Sequence, residues 1–320
     1  MIFEAARHSV SFWNGSAMLV GDLVIPAGPG PHPVVILVPG VSGPRERGRW
    51  SEDLAQGGLA TLTWDSPGWG ESFGLGTWQP PNQRAMEILA GVDFLHTMCS
   101  ISTQGIAVIG ADLGGWAAVL AAALSSRIEA LVLLTPPIVS TAHQIVDRLA
   151  RRLRVAGFIS AEIDLAQAVL CERVRRLGAG HSPDSIYASE AACRPAPWYP
   201  WLPGTTPSDI EAFATVLAYD PWTLIRPLQC PILAVLGEDD PATPAYQGAE
   251  LLRRVFTTPE QHDRHIAVLP RTDNGLRPVW AADGDGPQLP GDWNPETVST
   301  ITSWVTPRIG HRRSQYTTPY

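Results

Sequence analysis

The turn around Asp112 holds the side chain that this sequence most clearly prepares for chemistry. A short apolar run, Ile106–Ile109, is followed by the turn Ala111–Leu113 and an alanine-rich segment, which predicts a strand, a tight turn and a helix. In a nucleophile elbow a reactive side chain lies on such a turn, and glycines flank it because a Cβ there would collide with neighbouring backbone. Here the reactive position holds a carboxylate where a hydroxyl is expected.

A carboxylate at this position has two uses. It can attack the substrate as a nucleophile and form a covalent ester, or it can take and return a proton as a general base. Partial burial raises the pKa of a carboxyl group towards working pH, while the amino end of the following helix favours the anion. Which of the two roles Asp112 has depends on the other reactive groups that the chain provides.

Strand and helix patterns alternate around the elbow. Residues 8–25 alternate apolar and polar side chains around Asn14-Gly15, which predicts a β-hairpin. Further strands are predicted from apolar runs, at Val34–Val38, Leu59–Trp64, Leu131–Leu134, Pro231–Gly237 and His265–Leu269. Helices are predicted at 83–98, with Met86 among its apolar positions, and at 295–305. Strands that alternate with helices in this way, and that are apolar throughout, predict a mostly parallel, doubly wound α/β sheet covered on both faces.

The alternation stops between Ile138 and Cys230. Helical patterns near 141–156, 160–178 and 207–219 fill this segment, so we interpret it as a helical cap inserted between two strands. The chain is therefore divided into an α/β core of residues 1–137 and 231–308, a helical cap of residues 138–230, and a flexible tail of residues 309–320.

The composition excludes several classes of function. A net charge of −8 and a pI near 5.5 argue against nucleic acid or an anionic membrane as partner. The chain has no lysine, which excludes a Schiff base and a P-loop lysine. Its four cysteines lie far apart, so neither a zinc site nor a disulfide framework is indicated, and we expect no metal or cofactor. With no apolar signal-peptide core and no membrane span, the expected location is the cytoplasm; the oligomeric state stays open.

Five motifs in order along the chain resemble those of the α/β-hydrolase family, over most of the chain apart from the cap. The motifs are PGVSG (39–43), DSPGWGES (65–72), GADLGG (110–115), LGEDDPATP (236–244) and LPRTDNGL (269–276). The resemblance implies an oxyanion hole formed by the Val41-Ser42 loop and the Leu113 N–H. It assigns the third member of a catalytic triad to Asp240, with Asp239 as the weaker candidate, and it identifies Asp65 as a residue that fixes its turn.

Two departures from the family pattern determine the chemistry that we expect. Asp112 replaces the nucleophilic serine, and Asn274 stands where the family places its histidine. Ordinary serine hydrolysis is therefore not expected, since both the hydroxyl and its base are missing. Dehalogenases and epoxide hydrolases of this fold use an aspartate nucleophile but need the histidine to cleave the covalent ester. The remaining candidates for that role are the histidines at positions 96, 143, 181, 262 and 265.

General-base chemistry at Asp112 uses the groups that remain. The pocket would bind an acylated, hydrophobic small molecule, Asp112 would remove a C–H proton, and a carboxylate would leave by elimination. This is similar to the acetate-eliminating tetronate enzymes of polyketide tailoring. Asn274 would orient Asp112 or donate to the substrate, and Asp240 would hold Asn274. An isomerase or cyclase, an Asp-nucleophile hydrolase, and a non-catalytic binding protein in which Asp112 only caps its helix stay as alternatives.

Tryptophans are the candidates for an apolar pocket under the cap that suits a bulky hydrophobic molecule. The strongest are Trp69, Trp198 and Trp201, and three further candidates are Trp78, Trp280 and Trp293.

Overall fold

In the computed structural model the chain divides into two compact units. The described residues are 5–45, 49–74, 76, 79–138, 141–218, 222–240, 245–256, 263–279 and 293–309. The first unit comprises Met1–Gly76, Pro81–Pro136 and Pro221–Tyr320, and the second comprises Thr77–Pro80 and Pro137–Asp220. The second break thus lies about ten residues before the sequence boundary at 230. Trp222 accounts for this, because its ring packs edge-on against Trp116 of the first unit, 5.3 Å between centroids.

An eight-stranded sheet forms the first unit. Its strands are β1 (Ala6–Asn14), β2 (Ala17–Ile25), β3 (His32–Val38), β4 (Ala60–Trp64), β5 (Ile101–Ala111), β6 (Ile128–Leu134), β7 (Ile232–Gly237) and β8 (Arg264–Leu269). They lie in the order β1-β2-β4-β3-β5-β6-β7-β8. The pairs β1/β2 and β2/β4 are antiparallel and the others are parallel. This confirms the predicted mostly parallel, doubly wound sheet and its leading hairpin.

The helices extend the predicted set. They are α1 (Trp50–Gln56), α2 (Pro81–Leu95), α3 (Leu113–Leu124), α4 (Thr141–Val155), α5 (Ser160–Gly178), α6 (Pro183–Ser189), α7 (Pro207–Leu217), α8 (Trp222–Ile225), α9 (Ala245–Phe256) and α10 (Pro295–Ile309). The sequence patterns did not predict α1, α6, α8 or α9, and three of these four are seven residues or shorter. Among the described residues, no helix is long and apolar enough to span a bilayer.

The closing helix α10 runs further than predicted and anchors the sheet. It continues to Ile309, which is buried, so the assignment of this residue to a flexible tail was wrong. A Cβ on Gly105 of β5 would lie only 2.4 Å from the Ile309 carbonyl oxygen, so the end of α10 rests directly on strand backbone. Residues 310–320 lie outside the described part of the chain.

The sheet is covered on both faces, as its uniformly apolar strands predict. On one face, Val35 and Leu37 of β3 and their neighbours pack against Ile301 and Val305 of α10. The helices α2 and α3 pack against each other and against the sheet. This arrangement leaves the carboxyl ends of the parallel strands as the edge where loops gather.

The second unit is helical and has its own apolar core. Helices α4, α5 and α7 confirm the three predicted helical stretches. Their buried side chains include Leu149, Leu153, Ile163, Leu170 and Phe213.

A buried ion pair ties the elements of this second unit together. Arg173 of α5 donates through Nε to Glu190 at 2.9 Å and through Nη1 to the carbonyl oxygens of Pro203 and Gly204. The Tyr199 hydroxyl donates to the same carboxylate at 2.8 Å. Burial, with the neighbouring Glu190, raises the pKa of Tyr199 to about 12, so that hydroxyl keeps its proton. One guanidinium thus joins three separate segments.

We expect Arg173→Met to lower the free energy of unfolding of the helical unit by about 3–5 kcal/mol, because it leaves a buried carboxylate without its cation. Urea denaturation followed by tryptophan fluorescence measures this. Arg175→Met is the matched control on the same helix, since Arg175 pairs with Glu172 on the exposed surface. Equal stability of the two variants would contradict this account.

Candidate functional site

Asp112 alone forms the turn of the elbow. Strand β5 continues through Ala111 and α3 begins at Leu113, so the turn is tighter than the three residues expected from sequence. Asp112 has φ 49° and ψ −124°, a region that favours glycine. Its N–H donates to the Leu134 carbonyl at 2.8 Å, and its own carbonyl accepts from the Gly115 N–H at 2.9 Å. A strained aspartate is therefore held in place by hydrogen bonds on both sides.

Glycines are required around Asp112, as the sequence predicts. A Cβ on Gly110 would lie 2.5 Å from the Gly114 carbonyl oxygen. A Cβ on Gly114 would lie 2.4 Å from the carbonyl oxygen of Pro39, at the end of β3. Both distances are shorter than a real Cβ contact, so the start of α3 packs directly on β5 and on the loop after β3.

The Asp112 carboxylate lies against this loop. It is half-buried, and a Cβ built on Gly40 would be 3.1 Å from its Oδ2. Within the proposed oxyanion segments Val41 is exposed, whereas Ser42 and Leu113 are buried. The packing of Gly40 on Asp112 and of Gly114 on Pro39 brings these segments together around the carboxylate.

The turn 65–72 is hydrogen-bonded to the loop after β3. Ser66 and Gly43 exchange two hydrogen bonds, N–H to carbonyl at 2.9 Å and N–H to hydroxyl at 3.2 Å. Asp65 accepts from the Arg45 N–H at 2.6 Å and from the Glu71 N–H at 2.9 Å. Asp65 therefore fixes its turn, as expected, and it also holds Arg45 at the far end of the candidate oxyanion loop.

Asn274 and Asp112 are anchored to consecutive residues of the same strand end. The Thr135 hydroxyl donates to the backbone carbonyl of Asn274 at 2.9 Å, and Thr135 follows Leu134, which holds Asp112. Asp273 stabilises the Asn274 turn by accepting from the Gly275 N–H at 2.8 Å. The loop at the histidine position is thus well built even though its side chain cannot act as a base at neutral pH.

The acidic loop after β7 joins the Asn274 loop through backbone contacts. The Asp239 N–H donates to the Thr272 carbonyl at 2.9 Å. Asp240 is buried, whereas Asp239 is exposed. Of the two candidate acids, Asp240 is the one enclosed by protein.

The tryptophan candidates lie in different places. Trp69 is partly exposed on the 65–72 turn. In the second unit Trp198 is buried and Trp201 packs edge-on against Phe158, so both belong to the core of that unit. Trp293 stacks on Trp50 at 4.2 Å between centroids. Both rings line a cavity of about 30 Å³ at the carboxyl ends of β3, β5 and β6, which has room for one or two water molecules. Trp78 and Trp280 lie outside the described residues.

Four described histidines of the first unit lie away from the carboxyl edge of the sheet. His32 begins β3, about 20 Å along the strand from its carboxyl end, and His265 is the second residue of β8. His96 follows the far end of α2 and its ring contacts the Val92 carbonyl. His8 lies on β1, four strands from β5. Of the candidates to replace the missing base, His143 and His181 belong to the second unit, and His262 lies outside the described residues.

Two charged residues beneath the loop were missed by the sequence analysis. Arg84 and Glu87 of α2 are both buried, whereas Met86, predicted on the apolar face, is half exposed. Arg84 donates to the carbonyl oxygens of Pro39 and Gly40. Glu87 accepts from the Trp64 indole N–H at 2.8 Å through Oε2. Their three-residue spacing on one helix face was the available signal, but both residue types usually indicate a solvated face.

Burial changes the pKa of both side chains. It raises the pKa of Glu87 to about 7, against the smaller opposing effects of Trp64 and Arg84, and it lowers the pKa of Arg84 to about 10. Arg84 therefore stays charged at neutral pH, while Glu87 changes its protonation state there.

Sequence comparison identifies a family for the chain. A profile of the Alpha/beta hydrolase family matches residues 35–293. A curated relative, 2,6-dihydropseudooxynicotine hydrolase of Paenarthrobacter nicotinovorans, is 37% identical over 109 residues. That match covers 34% of this chain and 29% of the relative, so the chain corresponds to less than a third of its length.

Solved structures share the fold across the chain. DcsB in complex with its substrate analogue has a TM-score of 0.60 at 18% identity, covering 96% of this chain and 100% of the other. Est1E from Butyrivibrio proteoclasticus with ferulic acid bound has a TM-score of 0.58 at 16% identity, covering 94% and 100%. At such identities the likeness concerns the fold alone.

We expect Asp112→Gly to raise the free energy of unfolding by about 1 kcal/mol, because glycine adopts this φ and ψ without strain. Asp112→Ala removes the same carboxylate but keeps the Cβ, so it should show no such gain. Chemical denaturation of both variants measures the difference. An equal gain in both would assign it to loss of the charge rather than to relief of strain.

We expect Glu87 to make stability depend on pH between about 4.5 and 7. Its pKa is raised from the ordinary value of 4.5, so the folded protein holds a proton that the unfolded chain has lost in this range. The stabilisation is complete below pH 4.5 and is lost as pH rises through 7, a change on the order of 3 kcal/mol. Denaturation at several pH values should show this slope in the wild type and not in Glu87→Gln. Asp93→Asn, an exposed carboxylate on the same helix, should keep the wild-type slope.

Proposed function

This chain belongs to the alpha/beta hydrolase family, and we propose that within it the protein is a non-hydrolytic enzyme with Asp112 as general base. Its proposed reaction is the elimination of a carboxylate, such as acetate, from an acylated, hydrophobic, polyketide-type small molecule. No cofactor enters the proposed chemistry.

The observation that carries this proposal is the strained backbone of Asp112. A helix cap does not need φ 49°, since capping residues usually have β-region dihedrals, and no hydrogen bond from α3 to the Asp112 side chain satisfies that role. A non-glycine residue in this region costs about 1–3 kcal/mol and persists where the surroundings enforce it. The elbow thus retains the geometry of a reactive position, which favours a catalytic carboxylate over a purely structural one.

Proton removal fits the groups that surround this carboxylate. Asp112 takes a proton from the carbon next to the substrate carbonyl, and the electron pair of the C–H bond forms the new C=C bond. The C–O bond to the acyloxy group breaks, and the carboxylate leaves with its electron pair. Backbone N–H groups of the 40–42 loop and of Leu113 would stabilise the negative oxygen that forms on the carbonyl. Asp112 then returns the proton to solvent.

A nucleophilic Asp112 is the main alternative, and one curated relative of the chain is named a hydrolase. A covalent ester on Asp112 needs a base to activate water for its cleavage. The histidine position holds Asn274, and the four described histidines of the first unit lie away from the carboxyl edge of the sheet. The general base needs no second group, so it is the simpler use of the residues present.

We expect the protein to convert β-acetoxypropiophenone to phenyl vinyl ketone and acetate. In water enriched in heavy oxygen, elimination yields acetate without solvent oxygen and no alcohol, whereas ester hydrolysis labels one of the products. Asp112→Asn should lower the rate at least about 100-fold, because the amide cannot accept the proton. Asp93→Asn, which changes an exposed carboxylate on α2, should leave the rate unchanged.

Three results would replace this proposal. Solvent oxygen in the acetate would indicate hydrolysis, and a mass increase on a peptide containing Asp112 would indicate a nucleophile. Binding of the probe without turnover, unchanged in Asp112→Asn, would indicate a binding protein.

A further inference from the structure

We propose that Arg84 is a positioning residue that sets the direction of the backbone N–H groups at Gly40 and Val41, beside Asp112. The direction of these N–H groups does not depend on the proposed function, whereas an effect of Arg84 on turnover rests on it.

Arg84 binds two successive carbonyl groups of the loop after β3. Its Nη1 donates to the Gly40 oxygen at 3.2 Å and its Nη2 donates to the Pro39 oxygen. The guanidinium is planar and rigid, and it is buried within the first turns of α2. A single side chain therefore points two consecutive carbonyl groups in one direction.

The direction of the carbonyls determines that of the N–H groups. In a trans peptide the C=O and the N–H point to opposite sides, so the N–H groups of Gly40 and Val41 both face away from Arg84. Successive N–H groups on one side form a concavity that binds an oxygen anion. Because Gly40 lies against the Asp112 carboxylate, this concavity opens next to the reactive side chain.

The charge of Arg84 adds to this effect. The guanidinium lies beneath the carbonyl ends of the two peptide dipoles, so the positive N–H ends point towards the site. Its positive field acts through buried protein, where charges are screened less than in water. The neighbouring Glu87 lies one helical turn along α2 and is itself held by Trp64, which leaves both η nitrogens of Arg84 to the carbonyl groups.

Another arginine of the first unit provides a matched control. Arg264 also donates through its two η nitrogens to two backbone carbonyl groups, those of Cys230 and Leu228, but it lies at the first residue of β8. Arg264→Met should remove a similar set of local contacts and leave the loop after β3 unchanged.

The experiment compares Arg84→Met, Arg84→Lys and Arg264→Met by amide NMR of the full chain. In Arg84→Met we expect the Gly40 and Val41 amide signals to move. Arg84→Lys should lie between this variant and the wild type, because an ammonium group replaces one contact at a time. Arg264→Met should leave both signals unchanged. With β-acetoxypropiophenone, Arg84→Met should lower kcat about 100-fold with little change in KM, the effect of losing an oxyanion donor.

Unchanged Gly40 and Val41 signals in folded Arg84→Met would overturn the inference, and so would an equal shift in Arg264→Met. If Arg84→Met does not fold, Arg84→Lys serves as the test. Gly40 and Val41 amide signals in Arg84→Lys that match those of the wild type would refute the positioning role. Signals that move in a protein whose wild type does not turn over the probe would refute the proposed function and leave the positioning role supported.

Discussion

Close contact between backbones around Asp112 is the constraint on which the candidate site depends. Gly110 and Gly114 have no room for a Cβ, and Gly40 lies directly on the Asp112 side chain. Through these contacts the backbones of β5, α3 and the loop after β3 meet around Asp112. The carboxylate is therefore held in place by backbone packing, and Arg84 adds a buried positive charge behind the same loop.

The proposed function combines the Asp112 carboxylate with backbone hydrogen-bond donors of the loop after β3 and of Leu113. The buried guanidinium of Arg84 and the amino end of α3 place positive potential at the same edge. Such a site suits a reaction in which a proton moves to the carboxylate as a negative oxygen forms nearby. The strained backbone of Asp112 is tolerated because hydrogen bonds to the Leu134 carbonyl and from the Gly115 N–H fix both sides of the turn.

Particular residues show how far sequence reasoning reached. The elbow, its glycines and the Asp65 turn were predicted because each depends on local backbone geometry. Arg84 and Glu87 were missed because they interrupt an apolar helix face, and burial of charged groups depends on partners far along the chain. Two of the candidate pocket tryptophans, Trp198 and Trp201, belong to the core of the helical unit, since a tryptophan by itself does not distinguish core from pocket.

The sequence by itself determined the order of the strands and of six of the ten described helices, the covered sheet and the presence of a carboxylate at the elbow. These features follow from short-range patterns, namely hydrophobic runs, glycine positions and the residues at a single turn. Only the tertiary structure decided that Asp112 is held by Leu134, the last residue of β6, and Asn274 by the next residue, Thr135, and that a buried arginine holds the loop after β3. Those relations join residues that are from 22 to 139 positions or so apart, and folding brings them together through hydrogen bonds that no local pattern encodes.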